Sequence, residues 1–256
     1  MAFEPGGYAD KLGNRYEGRW VARQLLRLLN EELLYVLVEA VGDDERGVDL
    51  WVTRHDGTRQ AQQCKARNGS KDAWTVSDLN GRGILSAMRR QLDRHDFHEF
   101  ALVTAVSASG LGDICQSARD STGDPQDFYK NQIDAVGEGR RRVFRQFCGS
   151  LGLDPGKPYD LAAAYAYLRR THLLLWADDQ SSHEELKAWA SMLATGDPTA
   201  ILALLVEYAE SNLRRNITTN DVRQHLARWA LAYNRPGARS GKCRPFRAPP
   251  NRERVA

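Results

Sequence analysis

The stretch from Gly47 to Lys65, GVDLWVTRHDGTRQAQQCK, constrains the fold more than any other part of the chain. Apolar residues occupy every second position from 48 to 52, the dipeptide Asp56-Gly57 follows, and the chain then returns over residues 58–66. Alternation with a period of two around an Asp-Gly turn predicts a β-hairpin. Many hairpins of this kind are surface ribbons with solvated polar side chains. This one would also hold Asp49 across a two-stranded ribbon from Lys65.

The register of the hairpin decides whether Asp49 can act together with the return strand. A two-residue loop at the Asp-Gly turn would place Asp49 opposite Cys64. Directly opposed residues project from the same face and side chains alternate along a strand, so Asp49 would then face away from Gln63 and Lys65. We therefore predict a three- or five-residue loop, or a β-bulge near Asp49, with Gly57 in the left-handed conformation. A longer loop or a bulge would each shift the pairing of the two strands by one position and bring Asp49 opposite Gln63 or Lys65.

The segments around the hairpin predict an α/β fold. Residues 33–41 and 100–106 are apolar along their whole length and rich in β-forming residue types, which is typical of strands in a sheet covered on both faces. Apolar residues at helical spacing predict helices over residues 14–29 and 78–94. The predicted order is helix, strand, hairpin, helix and strand, which indicates an α/β fold with a central mixed sheet.

Glu17 is the most informative residue of the first predicted helix. It falls within the apolar face that Val21 and Leu25 share, whereas four arginines follow the opposite side at four-residue spacing. The arginines predict a solvated helix face. A carboxylate on a core-facing stripe costs free energy unless it is paired or ligates something. Glu17 is therefore either a site residue or the buried end of a salt bridge.

Together these residues resemble the PD-(D/E)XK, restriction-endonuclease-like nucleases. In that superfamily an Asp at a strand start, an acid-x-Lys motif on the next strand and an acid on a preceding helix surround a divalent metal ion. The matching positions here are Asp49, Gln63-Cys64-Lys65, and Glu17 within GNRYEGRW. Over residues 8–135 the chain looks most similar to Mrr-like and double-stranded-DNA nuclease effector domains at the N-termini of bacterial anti-phage proteins, including STAND ATPases. The resemblance implies an α-β-β-β-α-β core.

The resemblance also implies a site for Mg²⁺ or Mn²⁺. Asp49, the side-chain oxygen of Gln63 and the carbonyl of Cys64 would hold the ion, and Glu17 would support it or a second ion. Lys65 would orient or deprotonate the attacking water and stabilise the charge of the transition state. Gln63 departs from the usual pattern, because most members have Glu or Asp there. An amide oxygen still ligates a hard cation, and Mrr-like members share the Gln-x-Lys form, so we expect weakened metal binding and retained activity.

Residues 152–158 are rich in Pro and Gly and predict a domain boundary. The chain would then consist of a nuclease-like domain over residues 1–151, a helical bundle over 159–234 and a basic tail over 235–256. Every element beyond the boundary is predicted to be helical, over residues 161–176, 184–193, 198–213 and 221–233. We expect this bundle to pack on the nuclease-like domain, or to join it to a second copy or to a partner in a defence system.

Charge and composition limit the remaining possibilities. Residues 234–256 hold seven Arg or Lys against one acid, which indicates either a disordered end or non-specific contact with nucleic-acid phosphates. No apolar run reaches the length of a membrane span and no charged-then-apolar leader precedes the first helix, so we expect a cytoplasmic protein without a membrane partner. The four cysteines include no Cys-x-x-Cys pair, which argues against a disulfide scaffold or a zinc site.

The sequence therefore predicts a metal-dependent endonuclease that cleaves double-stranded DNA with little sequence specificity, as an anti-phage effector. Arg67 and Lys71 would contact the DNA backbone, since nothing in the chain resembles a base-reading helix. The alternative is a non-catalytic DNA-binding or interaction module that retains the nuclease fold, with Gln63 as a sign of decay. A third hypothesis makes the helical half the functional part, as an oligomerisation or sensor-coupling adaptor.

Overall fold

In the part of the chain that the structure describes, the fold is built on one open, mixed sheet of six strands. The computed structural model describes residues 5–67, 69, 71–177, 179–229 and 231. The strands are β1 Tyr35–Val38, β2 Leu50–Thr53, β3 Arg59–Lys65, β4 His98–Thr104, β5 Thr171–Leu175 and β6 Asn216–Ile217. They lie in the order β5-β4-β3-β2-β1-β6. The strands β3, β4 and β5 run parallel, whereas β6, β1, β2 and β3 pair antiparallel.

Helices cover both faces of this sheet. They are α1 Pro5–Leu29, α2 Val76–Gly81, α3 Ile84–Leu92, α4 Ser109–Asp120, α5 Pro125–Phe128, α6 Glu138–Ser150, α7 Pro158–Arg169, α8 Gln180–Leu193, α9 Pro198–Glu210 and α10 Thr219–Arg228. A 3₁₀ turn at Gly42–Asp44 precedes β2, and a π-helical segment at Tyr129–Asp134 follows α5.

Two hydrophobic clusters hold the helices against the sheet. Cluster A lies under helices α2 to α7 and contains Trp51 and Ala61 from β2 and β3. Cluster B lies under α1 and α8 to α10 and contains Leu50 and Cys64 from the same two strands. Because successive side chains of a strand point to opposite faces, the clusters occupy opposite faces of the sheet. Burial on both faces explains why the central strands are apolar along their length.

The predicted α/β class and the mixed sheet are confirmed. The predicted strands form as β1 to β4, and the first predicted helix forms as α1 with additional turns at its start. The helix predicted over residues 78–94 is instead two helices, α2 and α3. They are separated at Arg82 and Gly83, where Gly83 has a φ of +71° that a continuous helix does not allow.

The prediction of an all-helical C-terminal segment is wrong. Residues 161–176 form the end of α7 and then β5. A short apolar run of this kind is compatible with either a helix or a strand. Pairing with β4 decides between them, because the parallel register from Phe100↔Thr171 to Thr104↔Leu175 supplies backbone partners. The strand then sends Leu173 to cluster A and Leu174 to cluster B.

Elements beyond the boundary predicted at residues 152–158 complete both clusters. Leu161 of α7 lies in cluster A with Phe144 of α6, and Leu205 of α9 lies in cluster B with Leu25 of α1. The strand β6 extends the sheet beyond β1. The described part of the predicted helical bundle therefore packs directly on the sheet. The basic tail predicted over residues 235–256 lies outside the described residues.

None of the helices in the described ranges combines the length and the hydropathy that crossing a bilayer requires.

A partly buried polar network joins β2, β3, β4 and β5 at the end of the sheet where β4 begins. Arg54 donates two hydrogen bonds to the carboxylate of Glu99, at 3.1 and 2.9 Å. Gln60 donates a third at 2.9 Å, and the imidazole of His172 lies 3.3 Å from the same carboxylate. Burial alone would raise the pKa of Glu99, but its contacts with His172 and Arg54 outweigh burial and lower the pKa to about 2.

The low pKa of Glu99 makes it a stabilising residue at neutral pH. Because its folded-state pKa lies below the unfolded value, its contribution is present above about pH 4.5 and is lost as the pH falls towards about 2. We expect Glu99→Gln to lower the free energy of unfolding at neutral pH by on the order of 2 kcal/mol, after discounting for the partial exposure of Arg54. Chemical denaturation at neutral pH measures this loss. Glu184→Gln, which removes an exposed partner of Lys187, is the control and should change little.

Candidate active site

The hairpin has the shifted register that the sequence analysis predicted. Leu50 pairs with Gln62 and Thr53 pairs with Arg59, which is one position away from the register of a two-residue loop. The amide of Arg54 donates to the carbonyl of Thr58 at 2.9 Å, so three residues form the loop. Within it, Gly57 has a φ of +86°, which requires glycine and is typical of a bulged three-residue turn. Of the predicted alternatives, a three- or five-residue loop or a β-bulge near Asp49, the structure has the three-residue loop, with Gly57 in the predicted left-handed conformation.

This register directs Asp49 towards the return strand. The amide of Asp49 donates to the carbonyl of Gln62 at 2.9 Å, just before β2 begins. Its carboxylate accepts a hydrogen bond from the amide of Cys64 at 2.6 Å. Leu50 also pairs with Gln62, so Asp49 and Leu50 share one partner on β3, as in a β-bulge. Alternation along β3 places the side chains of Gln63 and Lys65 on the face of Ala61 and cluster A, whereas Cys64 lies in cluster B, on the face that α1 covers.

Neighbouring charges and burial change the pKa of Asp49. Burial raises the pKa of Asp49, while the ammonium of Lys65 and the amide of Cys64 lower it in part and Glu39 raises it further. Asp49 is thus a half-buried carboxylate whose negative charge is only partly compensated by the protein. Such a group gains free energy from a cation placed beside it.

Glu17 reaches this cluster from α1, on the other side of β3. Two long-range hydrogen bonds fix the helix: the hydroxyl of Tyr16 donates to the carbonyl of Trp176 at 2.9 Å, and the indole of Trp20 donates to the side-chain oxygen of Gln62 at 2.7 Å. Burial and then the charge of Asp49 raise the pKa of Glu17 to about 7. Lys65 lowers this pKa only in part.

One of the residues predicted to bind a metal ion, Gln63, has a feature that fits such a site. Among the described residues, no three His, Cys, Asp or Glu side chains form a group that could hold a metal ion by themselves. The predicted set depends instead on an amide and a carbonyl beside carboxylates. The side-chain oxygen of Gln63 is buried and has no hydrogen-bond partner among these residues. A buried acceptor without a hydrogen bond makes the free energy of folding less favourable, and a bound cation would supply the missing partner.

Cys64 would contribute its backbone and not its thiol. Burial, and then the charges of Asp49 and Glu17, raise the pKa of Cys64 well above its usual value, so the thiol stays protonated. The amide of Cys64 points to Asp49, and in a strand the N–H and C=O of one residue lie along the same edge. The carbonyl of Cys64 therefore lies along the edge of β3 that faces Asp49.

A cleft of about 200 Å³ lies beside Glu17, and two further carboxylates line it. They are Glu39, which follows β1, and Glu210, which ends α9. The sequence analysis gave Glu210 no role, because nothing in the pattern of α9 distinguishes it from an ordinary exposed acid. Only the packing of α9 on α1 brings Glu210 close to Glu17.

The two residues predicted to contact the DNA backbone differ in their surroundings. Arg67 is exposed immediately after β3. The ammonium of Lys71 bonds to the carboxylate of Asp78, which caps α2. Lys71 is therefore neutralised within the protein, and Arg67 is better placed to meet a phosphate.

Comparison with known proteins shows the fold alone. No family model and no curated protein matches the chain. The Cap4 SAVED/CARF-domain containing receptor of Moraxella osloensis is similar in structure, with a TM-score of 0.51 and 15% identity over 85% of this chain and 47% of that one. The Cap4 receptor of Acinetobacter baumannii, solved with the cyclic trinucleotide 3'3'3'-cAAA, gives a TM-score of 0.51 and 12% identity over 84% of this chain and 44% of that one. This chain thus spans less than half the length of either receptor.

Proposed function

We propose that this chain is a metal-dependent endonuclease that hydrolyses phosphodiester bonds of double-stranded DNA. One observation carries the proposal: the shifted hairpin register points the Asp49 carboxylate at the Gln63-Cys64-Lys65 strand, while Glu17 approaches the same place from α1. A structural ribbon has no need to hold two carboxylates beside a lysine at the cost of burying them. Metal-dependent phosphodiester hydrolysis uses carboxylates that hold the metal ion next to a residue such as lysine.

Each residue has a role in this proposal. Asp49, the Gln63 side-chain oxygen and the Cys64 carbonyl would hold Mg²⁺ or Mn²⁺, and Glu17 would support this ion or a second one. A bound divalent ion neutralises charge on the scissile phosphate and makes a nearby water more acidic. Lys65 would orient that water or, as a neutral amine, take its proton; as an ammonium it then stabilises the negative charge that develops on the phosphoryl oxygens. The proposal also assigns these residues to a restriction-endonuclease-like core.

We further propose an anti-phage role for this activity. The support is the resemblance of residues 8–135 to nuclease effector domains of anti-phage proteins, together with the fold shared with the Cap4 SAVED/CARF-domain containing receptors. The helices α8 to α10 would then serve contact with a second copy or with another component of the defence system. A purified chain that binds DNA without cutting it would favour the non-catalytic alternative.

Nicking of supercoiled plasmid tests the proposal. We expect wild-type protein to convert the plasmid to nicked and linear forms with Mg²⁺ or Mn²⁺, and to leave it intact in EDTA. Asp49→Asn keeps the size of the side chain and should abolish this conversion. Equal nicking by Asp49→Asn, nicking that persists in EDTA, or no cleavage with either metal would contradict the proposal.

Gln63→Glu tests the metal-binding role of Gln63. A carboxylate binds a hard cation better than an amide, so the Mg²⁺ concentration for half-maximal cleavage should fall by at least about three-fold. The extra buried charge beside Asp49 should also destabilise the metal-free protein. Gln146→Glu, at an exposed position of α6, provides a control with the same change of charge. An identical metal dependence in Gln63→Glu and wild type would show that Gln63 only packs.

A further inference from the structure

Trp74 is attached to the sheet next to Lys65. Its indole N–H donates to the hydroxyl of Thr104 at 2.9 Å, and its amide donates to the carbonyl of Ser107 at 2.7 Å. Thr104 is the register partner of Lys65 in the parallel pair of β3 and β4. Register partners project to the same face of a sheet. Trp74 therefore lies on the face from which Lys65 projects, one strand away from it.

Arg82 stacks on this tryptophan. Its guanidinium carbon lies 5.2 Å from the centre of the Trp74 ring. Trp74 is only 4% exposed and hence rigid, whereas Arg82 is exposed. Among the described residues no carboxylate forms an ion pair with Arg82, in contrast to Lys71 on the same side of the fold, which is bonded to Asp78.

We propose that Arg82 binds a backbone phosphate of the DNA duplex beside the scissile bond, and that Trp74 positions it for this contact. The proposal rests on the proposed function and names a substrate contact of the same site. Stacking uses the flat face of a guanidinium and leaves its N–H groups in the plane for hydrogen bonds to phosphate oxygens. The stack also reduces the conformational entropy that an exposed arginine loses on binding. The chain of contacts from Lys65 through Thr104 and Trp74 to Arg82 keeps this phosphate contact in a fixed relation to the catalytic lysine.

Binding of a short duplex, measured by fluorescence anisotropy in EDTA over a range of salt concentrations, tests the proposal without cleavage. We expect Arg82→Gln to weaken binding by on the order of five-fold near physiological salt, and to lower the slope of log K against log salt by about 0.9. Arg82→Lys keeps the charge and should restore the slope, with affinity below wild type because the stack is lost. Thermal melts of these exposed-site variants should match wild type.

Arg169→Gln is the matched control. Arg169 is also an exposed arginine stacked on an aromatic ring, that of Tyr165 at 5.6 Å. It ends α7 just before β5 begins, at the end of the parallel strands opposite to Lys65. Equal weakening by both Gln variants, or wild-type affinity and slope in Arg82→Gln, would overturn the inference. If either of these results is obtained while the wild-type protein cleaves DNA, this inference fails and the proposed function remains. A wild-type protein that neither binds nor cuts DNA would contradict the proposed function as well.

Discussion

Lys65→Ala is expected to lose DNA cleavage by at least about 10²-fold while folding and DNA binding stay nearly unchanged. Lys65 ends β3 and is only partly buried, so its ammonium contributes little to packing. We propose that Lys65 acts in the transition state, where it stabilises charge on the phosphoryl oxygens and orients the water. Single-turnover cleavage of a labelled duplex with saturating Mg²⁺ measures this effect directly.

Lys187→Ala provides the control for Lys65→Ala. Lys187 lies on α8 and pairs with Glu184 at 3.0 Å, so the substitution removes one positive charge away from the hairpin. It should cleave DNA at the wild-type rate. Wild-type cleavage by Lys65→Ala itself would eliminate Lys65 as the catalytic lysine, and with it the mechanism proposed for this site.

Glu17→Gln is expected to stabilise the metal-free protein and to impair cleavage. With its folded-state pKa at about 7, Glu17 favours the folded state fully only below about pH 4.5, and this contribution is lost as the pH rises through about 7. At about pH 8 the ionised carboxylate is buried near Asp49 without full compensation. Its removal should raise the free energy of unfolding there by on the order of 2 kcal/mol, allowing for solvent screening. Cleavage should fall because metal support is lost.

Denaturant unfolding in EDTA at about pH 5.5 and about pH 8 tests this expectation. The free energy of unfolding of the wild type should fall between about pH 5.5 and about pH 8, and that of Glu17→Gln should fall less. Some pH dependence should remain in Glu17→Gln, because the pKa of Asp49 is also raised. Glu99 does not contribute in this window, because it stays ionised throughout. Glu210→Gln changes a carboxylate of the same cleft at an exposed position and serves as control. Parallel pH dependence in wild type and Glu17→Gln would contradict the role given to burial of Glu17.

The hairpin shows what the sequence can predict. Alternation and the Asp-Gly turn determine where the two strands lie, and the requirement that Asp49 share a face with Gln63 and Lys65 selects the loop length. These are local constraints, because they involve residues close together in the chain. The structure has the three-residue loop, and beyond it Asp49 and Leu50 both face Gln62. Glu17 was identifiable for a similar reason, since a carboxylate on an apolar helix face stands out in the sequence itself.

Contacts between distant segments could not be predicted in this way. The strand β5 was predicted as helix because its apolar run has no periodicity that distinguishes the two, and only β4 supplies its partners. Glu210 joins the cleft of Glu17 through packing of α9 on α1, over a separation of more than half the chain. The stack of Arg82 on Trp74 likewise depends on the hydrogen bond from Trp74 to Thr104. Propensity and spacing contain no information about such pairings.

Anomalous scattering from crystals soaked in Mn²⁺ measures the central claim most directly, because it locates the ion whether or not DNA is cleaved. The account predicts a peak within coordination distance of both the Asp49 carboxylate and the Gln63 side-chain oxygen, with the Cys64 carbonyl as a further ligand. Asp49→Asn crystals should show a much weaker peak. A saturating soak that leaves this position empty, or places the ion elsewhere on the protein, would contradict the metal site from which the proposed activity is derived.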